Sequence, residues 1–138
     1  MREPRELADR YLSLWNEPDP ERRRALIEEL YTPDCAYLLQ PPEEMREIAA
    51  RPGIGLTPTL EARGYAELEP RAATVYEEFV ANGNFGFRRR GDVERLADVV
   101  KFRWEMQSPG GEIAAVGLGI LVLASDGRIS RDYQFIET

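Results

Sequence analysis

Apolar and polar residues alternate toward the end of the chain. In Lys101-Phe102-Arg103-Trp104-Glu105-Met106 one face carries Phe102, Trp104 and Met106 and the other Lys101, Arg103 and Glu105, the period of two that marks a strand. Continued on both sides, the pattern predicts strands over Val99 to Gln107, Glu112 to Leu123 and Arg128 to Ile136. Ser108-Pro109-Gly110-Gly111 and Ser125-Asp126-Gly127 join them, and both are turn compositions. Two tight connections in succession make an antiparallel meander.

Upstream the period changes to that of a helix. Leu7, Ala8, Tyr11, Leu12 and Trp15 share one face of a predicted helix over Glu6 to Trp15, which stops at Asn16-Glu17-Pro18. Asp19-Pro20 supplies an N-cap and a first-turn proline for a second helix running to about Tyr31, with Leu26, Ile27, Leu30 and Tyr31 as its stripe. Thr32-Pro33-Asp34 ends it. Cys35 to Gln40, short and apolar between prolines, reads as a strand. Pro41 to Gly64 is irregular, with one short helix expected over Glu43 to Ala50, and a connection this long suggests an insertion or lid over 42–64. Tyr65 to Ala81 reads as a third helix with Ala72, Val75, Tyr76, Phe79 and Val80 inward, and Pro70 tolerated only near its start. Phe85 to about Glu94 leads into the meander. Three helices on one side of a strongly bent, mainly antiparallel sheet give a single α+β domain, a cone whose open mouth suits a small molecule.

Composition narrows the chemistry. Eighteen basic against 25 acidic residues give a net charge of −7, which argues against a nucleic-acid or anionic-membrane surface. No apolar run reaches the roughly 20 residues of a membrane span, and Met1-Arg2-Glu3-Pro4 has no apolar signal core, so the expectation is a cytoplasmic protein. There is one cysteine, Cys35, and no histidine, which excludes an internal disulfide, a Cys-based zinc site and Ser-His-Asp, Cys-His or His-metal chemistry. No metal and no cofactor is expected.

Arg10-Tyr11-Leu12-Ser13-Leu14-Trp15-Asn16, Leu30-Tyr31-Thr32-Pro33-Asp34, Phe102-Arg103-Trp104-Glu105-Met106 and Asp126-Gly127-Arg128-Ile129 together resemble the nuclear transport factor 2-like (NTF2-like) superfamily, with its cystatin-like cone, and most of all its SnoaL-like polyketide cyclase and ketosteroid isomerase branch. The resemblance implies a fold, and less about function, because this fold hosts enzymes, binders and assembly modules. It implies that Tyr11 stands where the isomerases keep the tyrosine that donates to a substrate oxyanion, with Tyr31 and Tyr76 as the tyrosines bonded to it. Equally, the three are core aromatics whose hydroxyls satisfy one another. The isomerases' general-base aspartate falls at Leu39, or at Gln40 with a one-residue slip, and their protonated aspartate near Gly119. The missing base argues against steroid isomerisation.

Alternation places Ala115, Gly117, Gly119 and Leu121 on the concave side with Phe102 and Trp104, where the glycines are expected to open a cavity. Asp132, Gln134 and Ile136 follow on the next strand. Asp132 is then the one acid inside, raised by desolvation and able to move a proton, or else a salt-bridged acid near the rim that a bulge would turn outward. The expected lining is Tyr11, Trp15, Tyr31, Tyr37, Gln40, Tyr76, Phe102, Trp104, Gly119, Asp132 and Gln134, with Tyr11 and Asp132 catalytic. The opposite face, Ala114, Val116, Leu118, Ile120 and Val122 with Tyr133 and Phe135, has no helix to cover it, so a homodimer packed sheet to sheet is expected. Arg103 and Glu105 become its rim. The functions in play are a cofactor-free isomerase, cyclase or hydrolase acting on a hydrophobic, cyclic or polyketide-like molecule, a non-catalytic binder, and a protein-interaction module using the outer face.

Overall fold

The structure, a computed structural model, describes residues 2–41, 43, 44, 47 and 59–137. Helix α1 (Pro4–Asn16) buries Leu7, Ala8, Tyr11, Leu12, Leu14 and Trp15. Its last residue, Asn16, donates from Nδ2 to the Phe87 carbonyl at 2.7 Å and accepts from the Phe87 N–H at 2.8 Å. This two-way bond fixes the end of the helix that carries Trp15. Helix α2 (Pro20–Leu30) is capped by Asp19, whose carboxylate accepts from the Glu21 N–H at 3.1 Å.

Strand β1 (Tyr31–Gln40) follows α2 without a loop. Tyr31, expected on the helical stripe, is the first strand residue, with ψ at 151°. Thr32-Pro33-Asp34 therefore lies in the strand, where the register against its neighbour shifts between Tyr31 and Ala36. The stretch expected to be irregular ends in a strand, β2 (Leu60–Arg63), antiparallel to β1. Of the short helix expected over Glu43 to Ala50 only Glu43, Glu44 and Glu47 are described, all three helical, and most of the insertion or lid over 42–64 lies outside the described residues.

Helix α3 (Gly64–Val75) carries Pro70 beyond its first turn and buries Leu68, Ala72 and Val75. It continues as a π-helical segment, Tyr76–Ala81. The wider turn rotates the apolar face out of phase. Phe79, expected inward, is consequently 38% exposed, and Tyr76 and Val80 are half-buried.

The meander appears as β3 (Gly86–Leu96), β4 (Val99–Gln107), β5 (Ile113–Leu123) and β6 (Ile129–Ile136). All strands form one sheet in the order β2-β1-β6-β5-β4-β3. The β1–β6 pair is parallel and the others antiparallel. The architecture is α+β, three helices on a six-stranded mixed sheet. No described helix is long and apolar enough to cross a membrane.

Candidate functional site

Register decides which side chains meet inside. Across β4 and β5, Phe102 faces Gly119 and Trp104 faces Gly117. Across β5, β6 and β1, Leu121 faces Asp132 and Gly119 faces Gln134, while Asp132 faces Tyr37 and Gln134 faces Leu39. Directly opposed residues share a face of the sheet. Phe102, Trp104, Leu121, Asp132, Gln134 and Tyr37 are all buried, on the side that α1 and α3 cover.

Asp132 is 0% exposed and has no cationic partner among the described residues. Its Oδ2 accepts from the Tyr31 hydroxyl at 2.6 Å and its Oδ1 from Gln134 Nε2 at 2.6 Å. Gln134 Oε1 accepts in turn from Trp104 Nε1 at 2.7 Å. Because an indole can only donate, Trp104 sets the orientation of the Gln134 amide, and that amide must present N–H to Asp132. A proton on Asp132 is thereby directed to Oδ2, the oxygen facing Tyr31. Burial pushes the Asp132 carboxyl up from 3.8 to about 6, against the opposing pull of hydrogen bonds from Gln134, Tyr31 and Tyr11.

Tyr11 completes the group from α1. Its ring lies 6.5 Å from that of Tyr31 and 5.5 Å, edge-on, from that of Phe102, and its hydroxyl is a neighbour of both Asp132 and Tyr31. Burial first, then the neighbouring carboxylate, hold the Tyr11 and Tyr31 phenols well above the ordinary tyrosine range. Both stay protonated and act as donors. When Asp132 takes a proton on Oδ2, the Tyr31 O–H must turn away from it toward another acceptor, with Tyr11 next in line. The three side chains form a compact polar cluster in a dry aromatic surround.

Tyr31 is held from behind. Its carbonyl accepts from the Tyr65 hydroxyl at 2.7 Å and from Arg128 Nη1 at 3.4 Å. Trp15 adds the next wall, 6.0 Å from Tyr11 and 5.3 Å from Tyr37 between ring centroids.

Three expected lining residues are placed differently. Gln40 pairs with Phe135 in register and so lies on the outer face; the inward neighbour is Leu39. Tyr76 is separated from the Tyr11–Tyr31 pair by the π-helical turn, and its ring instead lies 5.0 Å beneath the Arg23 guanidinium. Gly119 does not open a cavity. A Cβ there would meet Gln134 Nε2 at 2.9 Å and Phe102 Cζ at 3.0 Å, and one on Gly117 would meet Trp104 Cζ2 at 2.1 Å. The glycines make room for the rings and the amide rather than for a ligand. Two clefts, of about 320 and 580 Å³, are lined by Arg95, Ala97 and Asp98 with Leu123, Ala124 and Ser125, and by residues of α1 and α2 with Glu17. Neither includes a residue of the Asp132 group.

Arg71 is the neighbour that periodicity overlooked. Leu68, Ala72 and Val75 form the buried stripe of α3, and Arg71 interrupts it at helical spacing. A guanidinium on an inward stripe was a readable signal. The Arg71 guanidinium stands near the buried Tyr37 phenol and pulls its pKa down, against the larger upward push of burial and of the Asp132 charge.

A sheet order with a meander closing against β1 and helices on one face is an NTF2-like fold, also described as cystatin-like. The resemblance carried by the sequence motifs holds for the fold. No family model and no curated protein matches the chain. Among solved structures it is similar to a candidate isomerase of the SnoaL-like family from Agrobacterium tumefaciens C58, at 22% identity over 96% of both chains with a TM-score of 0.76. It is also similar to an NTF2-like protein from Exiguobacterium sp. 255-15, at 20% identity over 95% of this chain and 98% of that one, TM-score 0.61. A third is a protein with a ketosteroid isomerase-like fold from Catenulispora acidiphila, bound to trimethylamine, at 14% identity over 94% and 83%, TM-score 0.60.

Proposed function

We propose that this protein is a cofactor-free acid–base enzyme of the SnoaL-like kind, taking a small hydrophobic, cyclic or polyketide-like molecule into the aromatic interior of the cone. One observation carries the reading: a fully buried carboxyl, its pKa pushed up to about 6, whose Oδ2 accepts from the Tyr31 hydroxyl with the Tyr11 phenol beside it. A carboxyl poised near neutral pH can both take and return a proton, and a phenol can stabilise oxygen charge as it develops. In this reading Asp132 moves the proton, Tyr11 and Tyr31 stabilise the oxyanion, Gln134 and Trp104 position the acid, and Trp15, Tyr37 and Phe102 hold the ring system. Isomerisation, cyclisation and hydrolysis all draw on that chemistry.

Exchange of the α-protons of 2-tetralone in deuterated buffer, followed by proton NMR, tests it. The expected result is exchange above the buffer rate, falling at least ~100-fold in Asp132→Asn. Both Asp132 oxygens are already engaged in the closed network, an observation that favours a non-catalytic binder as the second reading. Binding of 2-tetralone with exchange only at the buffer rate would establish that alternative.

We propose further that the outer face is covered by a second copy of the chain. Val116, Leu118, Ile120, Val122 and Tyr133 form an apolar field there, beside Phe135 at 36% exposure. Arg103 bonds Glu137 at 2.9 Å and Arg88 bonds the buried Glu105 at 2.5 Å on its margin, so both signs of charge are present, as a self-complementary contact requires. Leu118→Glu is expected to weaken the dimer at least ~100-fold, read as a change from dimer to monomer in sedimentation velocity. A wild-type chain that sediments as a monomer at high concentration would remove the partner and leave the face to another protein.

A further inference from the structure

Three buried nitrogen donors among the described residues have nothing to bond, and one of them, Nε of Arg23, belongs to the guanidinium that packs on the Tyr76 ring. Trp15 is 5% exposed, and its Nε1–H has no partner. The Nε–H of Arg71 is also buried and without a partner. The Trp15 and Arg71 groups flank one residue. The Trp15 ring packs 5.3 Å from the Tyr37 ring, and the Arg71 guanidinium stands near the Tyr37 hydroxyl. Tyr37 is itself buried and stands opposite Asp132 in register. The Trp15 and Arg71 donors therefore border the candidate site.

Buried donors are nearly always paired, and a buried guanidinium still more so. Several arginines elsewhere in this chain are paired with carboxylates. Arg24 pairs with Glu28 and Glu69, Arg88 with Glu105 and Arg128 with Asp126. Arg71 has no carboxylate among the described residues, although the chain holds more acidic than basic residues. Its Nε edge is the part of a guanidinium that accepts a carboxylate in a two-point contact, and an indole N–H supplies a third donor beside two flat apolar rings.

We propose that the Trp15–Tyr37–Arg71 corner binds the carboxylate of the molecule that enters the cone, which makes the ligand a small apolar acid with an aromatic or alicyclic ring. The proposal rests on the small-molecule reading of the same interior and adds to it the charged end of the ligand. Arg71 and Trp15 hold the carboxylate, Tyr37 and Trp15 hold the ring, and Asp132 lies one strand away.

The test uses 2-naphthoate and its neutral analogue 2-naphthamide, titrated into the full chain by calorimetry and by nitrogen–proton NMR. The two tryptophans give two indole resonances, assigned with Trp15→Phe. Wild type is expected to bind 2-naphthoate at least ~10-fold more tightly than 2-naphthamide. The Trp15 indole proton should move downfield, as a new hydrogen bond requires, while that of Trp104 stays. Arg71→Gln should lose ~10- to 100-fold for 2-naphthoate and little for 2-naphthamide. Arg71→Lys should recover part of the loss, which separates charge from folding. If the two probes bind alike and Arg71→Gln changes neither, the carboxylate site is wrong while the small-molecule reading stands. If neither probe binds, both fall.

Discussion

Replacing Gly117 with alanine is expected to destabilise the protein by about 3–5 kcal/mol and to lower its thermal midpoint by about 10–20 °C. On an ordinary strand the same change gains stability, because glycine is the poorer strand former. Here the added carbon would lie 2.1 Å from Trp104 Cζ2 and 2.7 Å from its Nε1, deep inside van der Waals contact. The ring must move, and it cannot move alone. Its Nε1–H holds Gln134, and Gln134 holds Asp132. The cost combines overpacking with buried polar groups left unpaired. Gly110 is the control: its nearest contact to an added Cβ is 3.9 Å away, and Gly110→Ala should be neutral within about 0.5 kcal/mol. Urea unfolding of both variants checks the pair. A shortened ring in Trp104→Phe should recover part of the Gly117→Ala loss, a non-additivity expected only of groups in contact. Equal stability of Gly117→Ala and wild type would mean that Trp104 does not lie across Gly117.

That contact also shows where sequence reasoning stopped. The meander was legible almost to the residue, because alternation and turn composition are local signals. With it came the inward set Phe102, Trp104, Asp132 and Gln134, and the outward set Val116, Leu118 and Ile120. Glycines on an inward face also announced themselves, but a glycine signals an open space and a close approach alike. Only the register of β4 on β5, which puts Trp104 against Gly117 and Phe102 against Gly119, distinguishes the two.

Long-range pairing limited the rest. Tyr31 continued the apolar period of Ile27 and Leu30, so nothing in the local pattern separated the last helical residue from the first strand residue. Gln40 was misplaced because β1 joins β6 in parallel through a crossover, and a one-residue slip of such a strand exchanges its faces. Tyr76 was misplaced because a π-helical segment resets the phase that a period of 3.6 assumes. Arg71 was visible as a charge on the stripe of Leu68, Ala72 and Val75, yet its meaning needed Tyr37 beside it.

Asp132 gives the second large expected effect, in the pH dependence of stability. Its folded-state pKa is about 6 against 3.8 for the unperturbed group, so the folded state holds this proton more tightly than the unfolded one. A raised folded pKa contributes stability that is fully present below the unfolded value and is lost as pH rises through the folded one. The shift is roughly two units, and at 1.36 kcal/mol per unit the loss is about 3 kcal/mol between pH 4 and pH 7. Asp132→Asn removes it. An asparagine can accept from Gln134 Nε2 through Oδ1 and donate from Nδ2 to the Tyr31 oxygen, so it stands in for the neutral acid at all pH values. Every other ionisable group titrates alike in the two proteins and cancels in the difference. Urea unfolding at intervals from pH 4 to pH 8 should therefore give matching stabilities at the acid end. Asp132→Asn should become the more stable by about 3 kcal/mol toward neutrality, the divergence growing from the unfolded pKa and levelling off above the folded one. Parallel curves would mean that the carboxyl keeps an ordinary pKa, and the acid–base role of Asp132 would lose its physical basis. A divergence that grows from about pH 4 and levels off above about pH 6 would instead mark a site whose catalytic readiness costs stability at the pH where it works, as expected when a carboxyl is buried to move a proton and not to hold the sheet together.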